Sequence, residues 1–296
     1  MLLTRRSFPT RRSFLHAGTA GLAIGAAPTV DIQHLPQSLR KLEQSIGGRL
    51  GVSIVDIGSG KKTGHRSDER FPFCSTFKML LAAAILMRAD EGKERLDRSL
   101  PIPRQPLLAH SPLTQPQAGG QMPISALCHA IMTQSDNTAA NLLLETIGGP
   151  AGLTQFARSL GDTVTRSDRM ELALNEGSPG DPRDTTSPAA MTANLQKLLL
   201  GETLSQTSRT KLADWMIECK TGTNRLRAHL PSGWRAGDKT GSNGQTISND
   251  VAIFWPVNGS PVLVSAYLAE CPGPEEKRAG ALAEVGRLVF AAWKKA

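Results

Sequence analysis

The sequence is poor in aromatic residues and lacks the usual spacings of metal-binding side chains. Its 296 residues include 8 Phe, 4 Trp and 1 Tyr, and no basic cluster is interleaved with these rings, so nucleic acid is not expected as a partner. None of the 4 Cys forms a C-x-x-C pair, and none of the 6 His forms an H-x-x-x-H pair. Such spacings are typical of zinc sites. We therefore expect neither a metal ion nor another cofactor.

Long apolar runs are also missing. No stretch of about 18 uncharged apolar residues recurs, which argues against a polytopic membrane protein and against a stable membrane anchor. Hydrophobic residues make up 40% of the chain and charged residues 20%. This composition excludes a mainly disordered chain and fits a soluble protein with a substantial core. The length suffices for one large or two modest domains.

The first 27 residues contain four of the arginines behind the net charge of +8. Thr10-Arg-Arg-Ser-Phe-Leu15 resembles the bacterial twin-arginine export signature. A mildly apolar run, Ala17–Ala27, follows and ends in small residues suited to a signal peptidase. Arg5-Arg-Ser-Phe8 copies part of the motif, so which pair is read stays open, and a basic tail is the alternative. We expect residues 1–27 to direct export to the periplasm by the twin-arginine machinery and then to be removed.

The rest of the chain divides into strands at both ends and helices between them. Apolar residues at helical spacing predict helices over 35–46, 76–88, 123–133, 137–147, 152–159, 188–200, 205–216 and 274–294. β-rich runs predict strands over 50–57, 234–241, 250–255 and 262–269. The turn Gly58–Gly64 is not a phosphate loop, because Val55 replaces the first glycine. This order predicts an α/β layer interrupted by a helical insert.

The run Cys74–Met87 carries a single charge, that of Lys78. A helix that is apolar on nearly every face is expected to be buried, and a buried ammonium is costly unless it is paired or loses its proton. Ser75 lies one turn earlier, where the helix would begin. The pattern indicates a hydroxyl nucleophile beside an amine that can remove its proton. The alternative is an N-cap serine and a lysine that reaches the surface.

Two further short motifs are weak by themselves. Ser135-Asp136-Asn137 offers a second hydroxyl to relay a proton and an amide to bind a carbonyl, but its residues are also ordinary helix caps. Lys239-Thr240-Gly241-Ser242 ends a predicted strand. Its Lys and Thr side chains suit a carboxylate, and its Gly lets a ligand approach the backbone. The alternative there is a strand that simply ends in a turn.

Taken in this order, S-x-x-K, S-D-N and K-T-G resemble the motifs of class A serine β-lactamases. The resemblance extends from about Leu35 to the C-terminus. Arg169-Met-Glu-Leu-Ala-Leu-Asn175 matches the R-x-E-x-x-L-N segment of that family. Arg169 and Asp184 occupy the positions of an ion pair that ties the ends of the family's Ω-loop. Long structureless loops in compact domains are usually functional or disordered.

The resemblance implies an α/β plus all-α fold, in which an antiparallel sheet is flanked by the N- and C-terminal helices and a helical domain is inserted. The α/β domain would then comprise residues 28–66 and 217–296. The helical domain would comprise residues 67–216, including the Ω-loop at 166–184. A monomer is expected on the same basis.

The resemblance also implies a hydrolase that opens the lactam ring of β-lactam antibiotics. Ser75 is then the nucleophile that becomes acylated, and its proton passes either to Lys78 directly or to Glu171 through a water. Ser135 passes a proton to the leaving lactam nitrogen. Glu171 and Asn175 hold the water that hydrolyses the acyl-enzyme.

Substrate binding is implied for a second set of residues. The resemblance assigns the substrate carboxylate to Lys239, Thr240, Ser242 and Arg225, and it places Gly241 among the substrate-binding residues. By composition Arg227 is an equal candidate to Arg225. Asn137 would bind the acylamide side chain. The backbone N–H groups of Ser75 and Ser242 would form the oxyanion hole, in which the loss of one donor typically costs about 3 kcal/mol.

The chain departs from the family at its cysteines and at the rim of the site. Cys74 precedes the nucleophile, as in some carbapenem-hydrolysing members, but no partner cysteine follows K-T-G. The position that would pair with Cys128 is Ala82. His110 stands where the family usually has an aromatic residue. The cysteine pairing and the range of antibiotics therefore stay open.

Two other functions compete with β-lactam hydrolysis. A DD-peptidase that acts on cell-wall peptides would share the three motifs, but Glu171, Asn175 and the compact length argue against it. A β-lactam sensor would be acylated once and then signal. It would require transmembrane and cytoplasmic portions that the sequence does not contain.

Overall fold

A computed structural model describes residues 32–293, whose central element is a five-stranded sheet. The helices are α1 (Leu35–Ile46), α2 (Phe77–Asp90), α3 (Ile124–Thr133), α4 (Asn137–Thr146), α5 (Gly149–Ser159), α6 (Pro188–Leu200), α7 (Gln206–Ile217) and α8 (Glu275–Trp293). The strands are β1 (Arg49–Asp56), β2 (Lys62–His65), β3 (Phe71–Pro72), β4 (Ser99–Pro101), β5 (Gln121–Pro123), β6 (Thr185–Thr186), β7 (Arg235–Ser242), β8 (Ser248–Trp255) and β9 (Val262–Ala269).

The sheet has the strand order β2-β1-β9-β8-β7, and every neighbouring pair is antiparallel. The β1–β9 pair thus joins the two N-terminal strands to the three C-terminal strands, and the helical middle of the chain lies between them in sequence. The α1 and α8 helices contact each other and both contact the sheet. The expected fold class is therefore confirmed. Strand β7, which ends in the K-T-G motif, lies at one edge.

The sheet is buried on both faces. All eight residues of β9 are buried, and their side chains alternate between two cores, as the pleat requires. Leu263 and Tyr267 join the core shared with the helical part, whereas Val264 and Leu268 pack with α1 and α8. Each fully buried Val or Leu side chain contributes about 1.5–3 kcal/mol. The edge strand β7 is likewise buried from Ala236 to Gly241, which fixes its position at the side of the sheet.

Helix α2 is buried as its composition predicts. Every residue from Phe77 to Leu86 is buried, and the helix contacts α3, α4, α5 and α7. A helix surrounded in this way positions whatever lies at its N-terminus very firmly, because none of its faces is free to move toward solvent. Its N-terminus carries the S-x-x-K motif.

The alternative in which Ser75 caps this helix is wrong. A single turn of 3₁₀ helix, Cys74–Thr76, runs directly into α2, so Ser75 lies within helical backbone and its hydroxyl is not used as a cap. Thr76 holds the turn in place, because its Oγ1 donates to the Phe73 carbonyl at 2.7 Å and lies 3.1 Å from the Tyr267 hydroxyl.

The domain boundaries stay a prediction. The strands of the large sheet come from residues 49–65 and 235–269, but α6, which lies within the predicted helical domain, packs on β1 and β9. There Thr192 Oγ1 donates to Ser265 Oγ at 2.8 Å. Two short strand pairs, β3 with β6 and β4 with β5, were not predicted. They begin or end the long loops of the sequence.

All four cysteines are buried thiols, so the structure contains neither of the bridges considered from the sequence. Within residues 32–293 no group of His, Cys, Asp and Glu side chains is arranged to hold a metal ion. No helix in this part of the chain is both long enough and apolar enough to cross a membrane. The predicted export signal, 1–27, lies outside the described residues.

Candidate active site

A cleft of about 710 Å³ opens between the edge strand β7, the turn before α2, the start of α4 and the Ω-loop. Its lining includes many of the residues predicted from the sequence: Ser75, Ser135, Asn137, Asn175, Arg225, Thr240, Gly241 and Ser242. Three others, Lys78, Glu171 and Lys239, are buried beside these residues. Motifs separated by more than 160 residues of sequence therefore meet at one place.

The half-buried Ser75 hydroxyl faces the Ω-loop. Its Oγ donates to Glu171 Oε1 across 3.3 Å. The backbone before it is fixed by Asn249, whose Nδ2 donates to the carbonyls of Pro72 and Phe73 at 2.9 and 3.1 Å. The hydroxyl also lies at the positive end of α2, which favours negative charge that develops there.

Gly241 allows β7 to lie against this turn. A Cβ atom at position 241 would lie 2.8 Å from the Phe73 carbonyl oxygen and 3.1 Å from the Ser75 nitrogen. Both neighbours are backbone atoms and have no room to yield. The glycine of K-T-G is therefore required for the close approach of the two backbones that flank the nucleophile.

Lys78 is fully buried and is surrounded by oxygen atoms. Its Nζ lies 3.0 Å from Glu171 Oε1 and donates to the Ser135 carbonyl at 2.8 Å and to Asn137 Oδ1 at 2.5 Å. Burial lowers the pKa of Lys78, and the charge of Glu171 opposes that shift only in part. The alternative of a lysine that reaches the surface is wrong, and the amine is displaced toward its neutral form.

The Ser135 hydroxyl lies between two lysines. Its Oγ accepts from Lys239 Nζ at 3.1 Å and from Lys78 Nζ at 3.4 Å. Burial lowers the pKa of Lys239 to about 8, and the charge of Lys78 acts in the same direction. Ser135 itself has a backbone φ of 59°, a conformation that non-glycine residues rarely adopt. The hydroxyl is thus held at the centre of the positive charge in the cleft.

The other two residues of S-D-N support this arrangement. Asp136 caps α4 through the Ala139 N–H at 2.9 Å and also accepts from the backbone and hydroxyl of Thr114. Asn137 Nδ2 donates to the Ala109 carbonyl at 2.8 Å. Asp136 is therefore a helix cap, as the alternative predicts. Its hydrogen bonds with Thr114 also connect the loop before α3 to the cleft.

The Ω-loop is closed by the expected ion pair. Arg169 Nε donates to Asp184 Oδ2 at 2.6 Å, and the other carboxylate oxygen accepts from the N–H groups of Asp168 and Arg169 at 2.8 and 3.0 Å. Asp184 is fully buried. A buried carboxylate with this many donors holds the two ends of the loop together.

Glu171 is clamped within that loop. Asn141, one turn after S-D-N on α4, accepts from the Glu171 N–H and donates to its carbonyl, both at 2.9 Å. Asn175 Nδ2 donates to Glu171 Oε2 at 2.6 Å. One carboxylate oxygen is thus shared by Ser75 and Lys78, and the other is held by Asn175.

The two candidate arginines lie in different places. Arg225 lines the cleft, where one Nη donates to the carbonyls of Gly241 and Asn249 at 2.9 and 2.8 Å. Arg227 Nη2 lies 2.6 Å from the buried Asp238 carboxylate. The structure therefore favours Arg225 as the residue that can meet a ligand.

Comparison with known proteins identifies the family. Residues 34–293 match the model of the β-lactamase enzyme family. The chain is 48% identical to β-lactamase L2 of Stenotrophomonas maltophilia over 275 residues, which cover 93% of this chain and 91% of the relative. The chain belongs to the class A β-lactamase family. The resemblance seen in the motifs and the expected enzyme class, a serine β-lactamase, are confirmed.

Solved structures of class A β-lactamases agree with this assignment. An ancestral class A β-lactamase, GNCA, is 54% identical and superposes with a TM-score of 0.86, covering 87% of this chain and 99% of its own. A β-lactamase from Xanthomonas campestris pv. campestris is 47% identical with a TM-score of 0.87, covering 90% and 100%.

Three residues of this class A site were missed by the sequence reasoning. Asn141 carries no motif of its own, although its position one helical turn after S-D-N indicates the same face of α4. Thr221 lines the cleft, and its Oγ1 lies 2.5 Å from the Thr240 hydroxyl. It stands in the segment Thr221–Ala228, in which the arginines alone carry a sequence signal. Glu275, the first residue of α8, also lines the cleft, and no sequence signal marks it.

Proposed function

We propose that this class A β-lactamase opens β-lactam rings through an acyl-enzyme on Ser75 that is hydrolysed by water activated by Glu171. The observation that carries the proposal is the 3.3 Å contact between Ser75 Oγ and Glu171 Oε1 in a cleft that also holds the buried Lys78. A nucleophile and a base within hydrogen-bond reach are what covalent catalysis requires.

The proton of Ser75 has two candidate acceptors, Glu171 and Lys78, and the contact observed is the one with Glu171. Glu171 Oε1 contacts both the Ser75 hydroxyl and Lys78 Nζ, at 3.3 and 3.0 Å. Burial lowers the pKa of Lys78, which favours its action as a neutral amine. Both routes from the sequence analysis are therefore kept: transfer to Lys78, or transfer to Glu171 through a water.

Ser135 delivers a proton to the lactam nitrogen when the ring opens. Its hydroxyl accepts from Lys78 and Lys239, so its own proton is free to point toward the cleft. Lys239, Thr240, Ser242 and Arg225 bind the carboxylate of the substrate, and Gly241 lets the substrate approach the β7 backbone. Asn137 binds the acylamide side chain, and the backbone N–H groups of Ser75 and Ser242 bind the developing oxyanion.

Deacylation is assigned to Glu171 and Asn175. Asn175 holds one carboxylate oxygen through Nδ2, and its own buried Oδ1 has no hydrogen-bond partner among the described residues. A buried acceptor of this kind suits a water molecule. Water held there would lie beside the Glu171 carboxylate, whose other oxygen contacts Ser75.

Turnover of nitrocefin by purified protein tests the proposal. We expect many turnovers per enzyme, with transient acylation of Ser75 detected by mass spectrometry. A single stoichiometric acylation without turnover would favour the sensor, and release of D-alanine from a cell-wall peptide would favour the DD-peptidase. The Glu171 carboxylate beside Ser75 supports the hydrolase, because it is the group that removes the adduct.

We also propose that residues 1–27 direct export by the twin-arginine machinery to the periplasm. The first support is the order of paired arginines, Phe-Leu and apolar run in the sequence. The second is that the antibiotics hydrolysed by this family act on the cell wall. Changing Arg11 and Arg12 to Lys should leave precursor in the cytoplasm. Normal export of that variant would refute the role of this pair, and the same change at Arg5 and Arg6 tests the other.

A further inference from the structure

Glu275 places a carboxylate at the end of the cleft where β7 terminates. It is the first residue of α8, it lines the cleft, and 37% of its side chain is exposed. Its Oε1 accepts from Arg225 Nη2 at 2.8 Å, and its Oε2 accepts from Arg278 Nη2 at 2.8 Å. One carboxylate thus lies between two guanidinium groups at the substrate cleft.

Two serines complete the surroundings of this carboxylate. The Ser242 hydroxyl lies 3.3 Å from Glu275 Oε2, and the Ser248 hydroxyl donates to Oε1 at 3.2 Å. Ser242 and Ser248 are cross-strand partners at the ends of β7 and β8. Glu275 therefore contacts two of the residues assigned to the substrate carboxylate, namely Ser242 and Arg225.

The two arginines, Arg225 and Arg278, differ in the partners that their guanidinium groups contact. Arg278 is buried, and its guanidinium also donates to the carbonyls of Gly273 and Gly244. Arg278 therefore stabilises the turn between β7 and β8. Arg225 has one Nη on backbone carbonyls, and its other Nη donates to Glu275. A ligand carboxylate that approaches Arg225 therefore meets the Glu275 charge as well.

From this geometry we infer that Glu275 is a specificity-determining residue that weakens binding of an anionic group at the β7 end of the cleft by neutralising Arg225. The inference rests on the proposed function of the cleft, since Arg225 matters only if the substrate carboxylate binds there. A protein carboxylate that faces a ligand site repels an anionic ligand and leaves a neutral ligand unaffected. Glu275 thus sets how strongly the site prefers substrates with a carboxylate at this position.

The experiment compares two boronic acids that bind the serine and differ only in one carboxylate. Binding of each is measured by calorimetry to the wild type and to Glu275→Gln. We expect the carboxylate-bearing compound to bind Glu275→Gln about five- to tenfold more tightly, and less so at high salt, because the pair is partly exposed. The carboxylate-free compound should change by less than about twofold.

Glu276→Gln is the matched control. It removes the same charge from the same turn of α8 at an exposed position, and it should leave the ratio of the two affinities unchanged. Glu275→Asp keeps the charge and should retain most of the wild-type ratio.

Three results would overturn the inference. Equal changes for both compounds would mean that Glu275 only maintains the shape of the cleft. Weaker binding of the carboxylate compound to Glu275→Gln would mean that the tether to Arg225 outweighs repulsion. An effect of the same size in Glu276→Gln would mean that net charge alone is responsible. Nitrocefin turnover by the wild type tests the proposed function separately, because the affinity ratio does not depend on turnover.

Discussion

The two edges of the sheet both collect charged side chains, but they hold them in opposite ways. At the β2 edge, Glu43 of α1 accepts from Arg66 at 2.7 Å and lies 3.0 Å from His65. At the β7 edge, Lys78 and Lys239 are fully buried around one hydroxyl. The first cluster pairs a carboxylate with a partly exposed guanidinium, whereas the second places two amines inside the protein with one carboxylate, Glu171, beside Lys78.

The consequences for protonation also differ. Burial alone would raise the pKa of Glu43, but hydrogen bonds from Arg66, the Leu50 N–H and His65 outweigh it and lower the pKa from 4.5 to about 2. At the other edge burial lowers the pKa of both lysines. One edge stabilises the charged form that the group already prefers in water. The other opposes it, as is common where groups perform chemistry.

The largest expected effect comes from removing Glu171, the proposed base beside Lys78 at the β7 edge. Glu171→Ala should still be acylated by a penicillin, because Ser75 and Lys78 remain. It should then accumulate the covalent adduct, with kcat reduced by about 10³-fold or more. Intact-protein mass spectrometry and steady-state kinetics measure both quantities.

The control for that variant is Glu145→Ala, which removes an exposed carboxylate on α4. It should behave as the wild type. The double variant Ser75→Ala/Glu171→Ala should form no adduct. Unchanged penicillin turnover in Glu171→Ala, or an adduct that persists without Ser75, would contradict the assigned roles.

A smaller effect is expected from loosening the loop that carries Glu171. Asp184→Asn removes the charge that holds Arg169 while keeping the size of the side chain. We expect kcat to fall about 10- to 100-fold, since a displaced base slows hydrolysis of the ester. Pre-steady-state kinetics should place the loss in deacylation and not in acylation. Asp181→Asn serves as control, because it removes a carboxylate on the same loop that contacts Arg183 and not Arg169. Equal loss in both steps would argue against the loop as the cause.

The lowered pKa of Lys239 predicts a modest dependence on pH. Below about 8 the ammonium is charged and attracts a carboxylate, and above about 8 that charge is lost. The affinity of a carboxylate-bearing boronic acid, divided by that of its carboxylate-free analogue, should therefore fall about three- to tenfold between about pH 7 and about pH 9.5. A ratio that stays constant over this range would show that Lys239 does not hold the carboxylate.

The smallest effect on activity is expected at the opposite edge. Glu43→Gln should leave kcat within about twofold of the wild type but lower the free energy of unfolding by about 1–3 kcal/mol, because Arg66 and the Leu50 N–H lose a charged acceptor. The folded pKa of Glu43 is depressed to about 2. Its contribution is therefore complete above about 4.5 and is lost as the pH falls toward about 2. Denaturant titrations of both proteins at several pH values measure the difference, and equal stability at neutral pH would contradict it.

Much of the fold follows from local patterns. The apolar spacing of Leu35–Ile46 and the β-rich run Val262–Ala269 correspond to α1 and β9 as observed, because both elements bury a regular set of side chains. The composition of α2 predicts its burial for the same reason. The 3₁₀ turn at Ser75 was not predictable, since it depends on Tyr267 and Asn249, which lie almost two hundred residues away.

The residues of the candidate site likewise divide into those that sequence motifs predict and those that only the structure reveals. Motif residues such as Ser135 and Lys239 were found because their types and order carry chemistry. Asn141 and Glu275 were not found, because their roles arise from contacts with distant parts of the chain: Asn141 holds the backbone of Glu171 in the Ω-loop, and Glu275 lies against Arg225 and the end of β7. The choice between Arg225 and Arg227 also required the structure, which places Arg227 beside the buried Asp238.

The absence of a side chain at position 241 limits how this protein can adapt. Because the backbone atoms of Phe73 and Ser75 fill the space where a Cβ would lie, the gap between β7 and the nucleophile has one permitted width. Bulkier antibiotics must therefore be accommodated on the facing wall, which includes the exposed Leu172 and His110. A population selected on such compounds should acquire substitutions on that wall, while position 241 stays glycine.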